Sequence, residues 1–452
     1  MARGKKKEVL TLEERLQAAL VPESEQPYQV PGNWCWTFIQ YVSEVITGGT
    51  PSKKCAEYYG GKFPFFKPSD LDSGRHVINA SEYLSNAGKA VSRVIPEQST
   101  AVCCIGSIGK CGFLEVEGST NQQINSAIPK FNALYLYYFC NTHYFVEQLW
   151  EKASATTISI VNKSKMENCI FPLPPLLEQC RIVDRIESLF AKLDEARQKV
   201  QDVLDGFEPR RAAILHKAFN GELTAQWRKA HGVGMEEGWE RKRFDEVAII
   251  RSNLVEPADF PDLPHIAPDN IERKTGVLLE YHTIAEDGVT SGKHHFYPGQ
   301  ILYSKIRPYL SKVVAVDFEG LCSADMYPIE AKGDAKCLWY YMLSEEFLEQ
   351  ASSAGSRSVL PKINQKELSA LTVELPALID EQSEITNILD SFFAKEQQAK
   401  EASETVLEQI DLIKKSILSR AFRGELGTND PAEESALELI KQTISETIAN
   451  NE

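Results

Sequence analysis

The segment Ile214-Leu-His-Lys-Ala-Phe-Asn-Gly-Glu-Leu223 occurs a second time in this chain, as Ile417-Leu-Ser-Arg-Ala-Phe-Arg-Gly-Glu-Leu426. The match extends back to Glu178-Gln179, which corresponds to Glu381-Gln382, and every matched pair is offset by 203 residues without a gap. A fixed offset of this kind indicates an internal duplication. The sequence therefore predicts a chain that is built twice.

The repeated segment has the apolar spacing of a long helix. Pro174 and Pro376 precede the two copies and Gly221 and Gly424 follow them, as expected for helix starts and stops. Pro209 predicts a kink inside the first helix. Apolar residues recur at alternating intervals of four and three, which places them on one helical face. In the first copy these positions are Ile182, Ile186, Leu189, Leu193, Ala196, Val200, Val203, Phe207, Ile214 and Ala218. In the second copy they are Ile385, Leu389, Phe392, Glu396, Ala399, Ser403, Val406, Ile410, Ile413, Ile417 and Ala421, of which two are polar.

Two apolar stripes of equal length in one chain favour pairing with each other. We therefore predict that the two helices form an antiparallel intramolecular coiled coil. The alternative is that each helix packs on its own domain or on another chain. The residues predicted at this helix and partner interface are Ile182, Ile186, Leu189, Leu193, Phe207, Ile385, Leu389, Phe392, Ile410 and Ile413.

The regions that precede the helices mix short β-rich runs with loops and short helices, and they resemble each other only at their edges. We predict an α+β fold with a pseudo-twofold internal repeat, in which two globular domains are separated by the two long helices. The predicted segments are an N-terminal helical extension (1–30), a first domain (31–175), a first helix (176–225), a second domain (237–377), a second helix (378–426) and a tail helix (427–452).

Composition and charge limit the possible functions. The chain has 452 residues, of which 43% are hydrophobic and 25% charged, as in ordinary globular proteins. No apolar run approaches the ~20 residues of a membrane helix, and the ten scattered cysteines form no C-x-x-C pair. We therefore expect reduced thiols in a cytoplasmic protein. The formal net charge of −15 argues against a free-standing nucleic-acid binder, so a DNA-binding role has to explain it.

One glycine-rich segment, Gly106-Ser-Ile-Gly-Lys110, is superficially similar to a phosphate-binding loop. It is too short for a nucleotide-binding P-loop, and Lys110 is followed by Cys111 rather than by serine or threonine. A turn that presents backbone amides, Ser107 and Lys110 to a DNA phosphate is the preferred interpretation. A plain tight turn is the alternative.

The remaining catalytic patterns are weak. Asp317, Glu330 and Lys332 imitate the acidic pair and lysine of a magnesium-dependent nuclease, which stays a minor alternative. His294-His295 is predicted to lie in a loop. We therefore expect neither catalytic residues nor a metal site in this chain.

Two segments carry side chains that are suited to reading DNA, although either could be a solvated loop. Amide side chains can pair with adenine edges, and an arginine can fork onto guanine or a phosphate. The amides of the first segment are Asn121, Gln122, Gln123 and Asn125. The candidates of the second segment are Ser304, Lys305, Arg307, Tyr309 and Lys312.

These residues together resemble a known family. The doubled Pro175-Leu-Leu-Glu-Gln179 block and the doubled Ala218-Phe-Asn-Gly-Glu-Leu223 ends look like the specificity subunit of type I restriction–modification systems. Residues 104–125 and 303–312 are similar to its target recognition domains. The resemblance covers roughly 31–426, and its repeat spacing and paired motifs are more specific than its recognition loops.

The resemblance implies a non-catalytic DNA reader. Residues 31–175 and 237–377 would be two target recognition domains, each binding one half of an asymmetric, bipartite target whose spacer the coiled coil sets. Two modification subunits would dock on the chain and transfer a methyl group to adenine N6, and two restriction subunits would add translocation and cleavage. No cofactor is expected on this chain, whereas S-adenosylmethionine, ATP and Mg²⁺ are expected on the partner subunits.

The resemblance also implies an explanation for the acidity, because partner chains could complete a positive channel around DNA. Residues 31–175 contain 12 basic and 11 acidic residues, but residues 237–377 contain 15 and 22. The DNA-binding face of the second domain should therefore be local, around Lys305–Lys312.

The terminal helices are expected either to bind a modification subunit or to be terminal additions without a binding role. The other readings are a related methylation or phage-defence system and a coiled-coil scaffold without DNA binding.

Overall fold

The computed structural model describes residues 11–154, 159–234, 238–355 and 361–449. By its internal contacts the chain divides into unit 1, which comprises Met1–Lys199 and Val406–Glu452, and unit 2, which comprises Val200–Thr405. Each long helix therefore contributes one part to each unit. The predicted segments 1–30, 31–175, 237–377 and 427–452 fall partly outside the described residues, and all the segment boundaries stay predictions.

The described helices and strands follow one another in two similar series. In chain order, the α-helices are α1 (Leu12–Ala19), α2 (Ile39–Val42), α3 (Asn86–Val91), α4 (Ala133–Cys140), α5 (His143–Lys152), α6 (Lys163–Glu167), α7 (Leu176–Asp205), α8 (Phe207–Phe219), α9 (Ala225–His231), α10 (Phe244–Val247), α11 (Ile284–Asp287), α12 (Ala335–Met342), α13 (Glu345–Ala354), α14 (Gln365–Ser369), α15 (Ile379–Ala421) and α16 (Leu437–Ala449). The strands of unit 1 are β1 (Cys35–Phe38), β2 (Ser43–Thr47), β3 (Tyr59–Phe66), β4 (Glu82–Leu84), β5 (Val94–Ile95), β6 (Ser99–Cys103), β7 (Cys111–Leu114), β8 (Gly118–Thr120), β9 (Ile124–Pro129) and β10 (Ile170–Leu173). Those of unit 2 are β11 (Trp239–Arg243), β12 (Ala248–Ile250), β13 (Leu254–Val255), β14 (Pro264–Ile266), β15 (His282–Thr283), β16 (Lys293–Phe296), β17 (Ile301–Ser304), β18 (Val313–Ala315), β19 (Gly320–Cys322), β20 (Met326–Ala331) and β21 (Thr372–Pro376).

The two units share their sheet topology, although their middle sequences differ and unit 2 has one additional strand, β13, at the end of its second sheet. Unit 1 has sheets of order β2-β9-β6-β7 and β4-β3-β8-β5, and unit 2 has β12-β20-β17-β18 and β15-β14-β19-β16-β13. The pairs β3–β8 and β14–β19 are parallel, and the other ladders of both units are antiparallel, including β1–β10 and β11–β21. The helical and strand-rich parts confirm the α+β repeat that the sequence predicts.

The equivalence of the two middles is close enough to give a residue correspondence. Each element from β7 to β10 starts 202 residues before its counterpart in unit 2, so that Cys111 matches Val313 and Ile124 matches Met326. The loop before β7 spans residues 104–110, whereas its counterpart spans 305–312 and is one residue longer. This correspondence identifies equivalent loop positions, which the divergent sequences alone do not show.

In unit 1 the start of α7 packs against the end of α15. Ile182 and Ile186 share a core with Leu418 and Phe422. The ammonium of Lys414 lies 5.1 Å from the centre of the Phe190 ring and also forms an ion pair with Asp194. Early residues of one helix thus meet late residues of the other, which makes this pair antiparallel.

In unit 2 the same arrangement is formed by α8 and the start of α15. Leu215 and Ala218 share a core with Ile385 and Leu389. The guanidinium of Arg211 lies 4.3 Å from the ring centre of Phe393. Arg211 corresponds to Lys414, and Phe190 corresponds to Phe393, each at the offset of 203 residues. The duplication therefore extends to this cation–π interaction.

The predicted interface residues are buried to different degrees. Ile413 is 46% exposed, and the residues that face inward near it are Ile410 and Leu418. The continuous coiled coil stays a prediction, because the antiparallel contacts are described for each unit by itself. Among the other predicted residues, the buried ones are Ile182, Ile186, Ile385, Leu389 and Ile410, and the half-buried ones are Leu189, Leu193, Phe207 and Phe392.

The first long helix is interrupted at Gly206, between α7 and α8. Pro209 lies three residues further on, and its ring has no N–H to donate to the carbonyl of Asp205 four residues before it. At the interruption, the carbonyl of Val203 accepts hydrogen bonds from the backbone N–H of Gly206 at 3.2 Å and from Nη2 of Arg210 at 2.8 Å. The second copy has Leu412 at the proline position, and α15 is continuous there.

A buried glutamate near the start of α7 ties three chain segments of unit 1 together. Glu178 has no exposed surface. Its Oε2 accepts hydrogen bonds from Trp34 Nε1 at 2.7 Å and from Asn429 Nδ2 at 2.8 Å, and its Oε1 accepts from Thr428 at 3.3 Å. Since Thr428 and Asn429 follow the end of α15, one carboxylate fixes the start of one long helix, the chain after the other, and the strand region at Trp34.

Glu381 forms the equivalent node at the start of α15 in unit 2. Its Oε1 accepts hydrogen bonds from Arg228 Nη1 at 2.6 Å, from Thr224 at 2.7 Å and from Trp239 Nε1 at 3.1 Å. Thr224 and Arg228 follow the end of α8, so each helix start is bound by the chain that returns from the other helix. Gly221 makes the turn after α8 with a positive φ of 81°, a backbone conformation that glycine adopts at little cost.

The glutamine that follows each buried glutamate makes an equivalent contact in the two units. Gln179 Oε1 accepts from the backbone N–H of Asn132 at 3.1 Å, and Gln382 Oε1 accepts from that of Asp334 at 2.9 Å. Asn132 and Asp334 are the N-caps of the aromatic helices α4 and α12. The repeated Glu-Gln pair therefore anchors each globular sheet region to its long helix.

The terminal helices belong to unit 1. α1 packs against α16, and α16 contributes Ile440 and Ile444 to the core that contains Trp34 and Phe422. The bidentate pair between Arg181 and Glu433, at 2.7 and 2.8 Å, fixes the chain that leads to α16. These helices thus cover their own unit, and their binding to a modification subunit stays a prediction. No helix among the described residues combines the length and the hydropathy that crossing a bilayer requires.

The node at Glu381 predicts a large loss of stability when its cation is removed. In Arg228→Ala the carboxylate of Glu381 stays buried without its charged partner, which lowers the free energy of unfolding by about 3–5 kcal/mol. Urea denaturation measures this change. Lys229→Ala, at the exposed neighbouring position, is the matched control and should leave the midpoint unchanged. Equal midpoints for both variants would contradict the role of the node.

Candidate nucleic-acid interface

Several loops of unit 1 meet at one end of the β2-β9-β6-β7 sheet, where β2 and β6 end and β7 and β9 begin. The backbone N–H of Cys104 donates to the carbonyl of Gln123 at 2.7 Å, which joins loop 104–110 to loop 121–123. Thr50 Oγ1 donates to Gln122 Oε1 at 2.6 Å, and Ile105 forms a β-bridge with Ile160. We call this convergence of residues 48–50, 104–110, 121–123 and 159–161 the first edge.

Unit 2 has the equivalent convergence. The N–H of Lys305 donates to the carbonyl of Asp325 at 2.9 Å, and the N–H of Arg307 donates to that of Pro361 at 2.7 Å. Ile306 forms a β-bridge with Lys362. Residues 305–312, 323–325 and 361–362 are called the second edge. The candidate DNA-contacting residues predicted from sequence fall on or beside these two edges.

The glycine-rich loop of the first edge is a tight turn. Gly106 and Gly109 have φ values of 79° and 88°. A Cβ on Gly109 would lie 2.9 Å from the side chain of Val146, so only glycine fits there without rearrangement. Ser107 is exposed at the tip. The Nζ of Lys110 lies 2.6 Å from Asp72 in the 3-10 turn Asp70–Ser73, so this ammonium is already paired.

The four predicted amides differ in their exposure. Gln122 is exposed, and Gln123 is half-buried. Asn121 donates its Nδ2 to Gln123 Oε1 at 2.9 Å and holds that side chain. Asn125 is only 2% exposed; it accepts from Thr47 at 2.7 Å and donates to the carbonyl of Val161 at 3.3 Å. Gln122 and Gln123 can therefore reach a ligand, whereas Asn125 joins the strands and loops that position them.

Two predicted cations of the second edge are bound inside the protein. The Nζ of Lys305 donates to the carbonyl of Ala324, and burial lowers the pKa of this ammonium. The Nζ of Lys312 donates to the carbonyl of Pro268 at 2.6 Å and lies 3.3 Å from Asp269. Lys312 and Lys110 are equivalent, and each pairs with an aspartate of the corresponding 3-10 turn. These lysines organise the loops rather than present free charge.

The remaining predicted residues of the second edge include two exposed side chains. Arg307 and Tyr309 are both exposed, and Arg307 has a left-handed backbone with a φ of 49°. This conformation is uncommon for a residue with a Cβ and marks a constrained, outward-facing position. Ser304 is buried, and its hydroxyl donates to the carbonyl of Ile306 at 3.2 Å. Arg307 and Tyr309 are therefore the available contact residues.

The sequence analysis missed one loop of the first edge. Gly48 N–H donates to the carbonyl of Ile124 at 2.9 Å, and Gly49 N–H donates to that of Thr120 at 2.8 Å. Lys53 and Lys54 follow within a few residues and are exposed. The signal was the run Gly48-Gly-Thr-Pro-Ser-Lys-Lys54, in which a glycine turn precedes two cations.

The three residues of the nuclease-like pattern, Asp317, Glu330 and Lys332, are not brought together in the fold. Glu330 pairs with Arg251 at 2.7 Å, and the Nζ of Lys332 donates to the carbonyl of Asp245 at 3.0 Å. Asp317 is exposed after β18, which is separated from the β20 strand of Glu330 by β17. Among the described residues, no group of three histidine, cysteine, aspartate or glutamate side chains could hold a metal ion.

The predicted loop position of His294 and His295 is wrong, because both are buried in strand β16. All four residues of β16 are buried, because the strand lies between β13 and β19 in the sheet. His295 Nε2 lies 2.7 Å from Glu319, which supplies the polar partner inside the fold.

The model of the type I restriction modification DNA specificity domain matches residues 31–204 and again residues 236–409. The chain belongs to this family. Its two units therefore contain two DNA specificity domains, and the chain acts as a specificity subunit of a type I restriction–modification system.

Individual relatives agree with this assignment. The chain is 39% identical over 301 residues to the type I restriction enzyme EcoDI specificity subunit of Escherichia coli, covering 62% of this chain and 68% of that protein. It is 21% identical over 438 residues to the EcoKI specificity subunit of Escherichia coli strain K12, covering 88% and 90%.

Two solved structures share the fold. One is a chain from work on the assembly and conformational transition of the type I R-M system, with a TM-score of 0.68, 19% identity and coverage of 88% of this chain and all of that one. The HsdS subunit from Thermoanaerobacter tengcongensis has a TM-score of 0.57 and 18% identity, covering 89% of this chain and all of that one. At these identities the likeness concerns the fold alone.

The packing around Gly48 gives a test of the first edge. A Cβ at Gly48 would lie 2.2 Å from the carbonyl oxygen of Asn121, whereas a Cβ at Gly49 would meet nothing within 4 Å. Gly48→Ala should therefore lower the free energy of unfolding by about 1–3 kcal/mol and displace loop 121–123. Gly49→Ala should stay within about 0.5 kcal/mol of the parent chain.

Urea denaturation measures the stability of both variants, and DNA binding by the complex with the methyltransferase reports the displaced loop. We expect weaker DNA binding for Gly48→Ala alone. The same loss in both variants would show that this loop contact does not position the first edge.

Proposed function

We propose that the chain reads an asymmetric, bipartite DNA target, with one half-site bound at each edge. The observation that supports this proposal is that one chain holds two edges of equivalent construction with different exposed side chains. Amides dominate the first edge at Gln122 and Gln123, whereas Arg307 and Tyr309 lie exposed on the second. Because the two edges expose different hydrogen-bonding groups, they select different base pairs, and the two half-sites differ in sequence.

The long helices supply the fixed spacer in this proposal. Each globular sheet region is anchored to the start of one long helix through Glu178 or Glu381. Because α7 and α15 each contribute residues to both units, we expect the covalently continuous helices to set the separation of the half-sites.

Catalysis belongs to partner subunits in this proposal. Two modification subunits dock on the repeated frame and transfer a methyl group from S-adenosylmethionine to adenine N6, and two restriction subunits use ATP and Mg²⁺ for translocation and cleavage. The chain itself binds no cofactor and acts on DNA in the cytoplasm. The net charge of −15 supports shared binding, because partner surfaces can provide the positive charge that the DNA backbone attracts.

The second edge gives the direct test of DNA contact by this chain. Arg307→Ala removes an exposed guanidinium that can contact a base edge or a phosphate, and we expect about tenfold weaker binding of target DNA by the complex with the methyltransferase. If the contact is to a phosphate, the slope of log affinity against log salt also falls by about 0.9.

Titrations of target duplex at several salt concentrations measure both quantities. Arg273→Ala is the matched control, because Arg273 is an exposed arginine of the same unit outside the second edge. Equal affinity and equal salt slope for Arg307→Ala and the parent would contradict DNA contact at this edge.

A further inference from the structure

The residue correspondence between the units places Gln123 and Asp325 at the same position. Each is the last residue of the short loop that precedes β9 or β20, and they are 202 residues apart. Each also accepts a hydrogen bond on its backbone carbonyl from the first residue of the neighbouring loop, Cys104 or Lys305. The backbone at this position is therefore held in the same way in both edges, and the side chains differ.

The side chain of Asp325 is held by two lysines and remains accessible. Its Oδ1 lies 2.9 Å from the Nζ of Lys362 and 3.8 Å from that of Lys305. The side chain is 45% exposed. Its counterpart Gln123 is held by the side chain of Asn121, so both edges orient this position with a neighbouring polar group.

A carboxylate on a DNA-binding edge has a restricted range of partners. It repels phosphates, and it can only accept hydrogen bonds at neutral pH. Lys305 and Lys362 offset part of the repulsion and fix the direction of the carboxylate. In the major groove the donors available to such a group are exocyclic amino groups, and aspartate pairs best with N4 of cytosine.

We propose that Asp325 is a specificity-determining residue that accepts a hydrogen bond from a base amino group, cytosine N4 by preference, in the half-site read by the second edge. Gln123 occupies the equivalent reading position for the other half-site. This inference rests on the proposed function and names the base chemistry of one position within it.

The test compares the methylated motif of the parent complex with that of Asp325→Asn. Asparagine keeps the shape of the side chain but adds a donor in place of a purely accepting group. We expect one base pair of one half-site to change or become degenerate, while the other half-site and the spacer stay the same. For two duplexes that differ only at that base pair, the ratio of their binding affinities should fall about tenfold in the variant complex.

Two further variants make each outcome decisive. Gln123→Glu should change one base pair of the opposite half-site, and Asp317→Asn, an exposed aspartate in the turn after β18, should change none. If Asp325→Asn weakens binding to all duplexes equally without altering the motif, Asp325 only organises its lysines and the inference is overturned. An unaltered motif with unaltered affinity also overturns it. A parent complex whose methylation does not depend on this chain would instead contradict the proposed function itself.

Discussion

A buried carboxylate near the start of each long helix is the constraint on which the rest of this fold depends. Glu178 and Glu381 are both fully buried, and an unpaired carboxylate in such a place would cost several kcal/mol. Each accepts hydrogen bonds from three donors. The indole of Trp34 or Trp239 comes from the adjacent sheet region, and the other donors come from the chain that leaves the opposite long helix. This requirement couples the helices of each unit to its sheets.

The long helices and the two edges differ in what the duplication preserves. The long helices repeat their Glu-Gln pair and the aromatic–cation contacts of Phe190 and Phe393 with the facing helix. The edges repeat their main-chain hydrogen bonds and the lysine–aspartate pairs of Lys110 and Lys312, whereas their exposed side chains differ. A fixed backbone with variable side chains allows the recognised bases to change while the helices and their spacing stay the same.

The sequence predicted the parts of this architecture that depend on periodicity and repetition. The long helices and the duplication could be read from apolar spacing and from the 203-residue offset. The shared sheet topology could not, because many combinations of β-forming residues satisfy the same strand positions. The candidate cations show a similar limit. Arg307 is exposed as its chemistry suggested, whereas Lys305 and Lys312 bind carbonyl oxygens that only the folded loops bring near.

This chain acts as the DNA-specificity subunit of its restriction–modification system. The most direct test is methylation mapping by single-molecule sequencing in a host that carries the chain with its methyltransferase, compared with a host in which this chain alone is deleted. We expect N6-methyladenine to disappear at one split, asymmetric motif, whose two parts and spacer are then known. A methylome that is unchanged by the deletion would contradict the account.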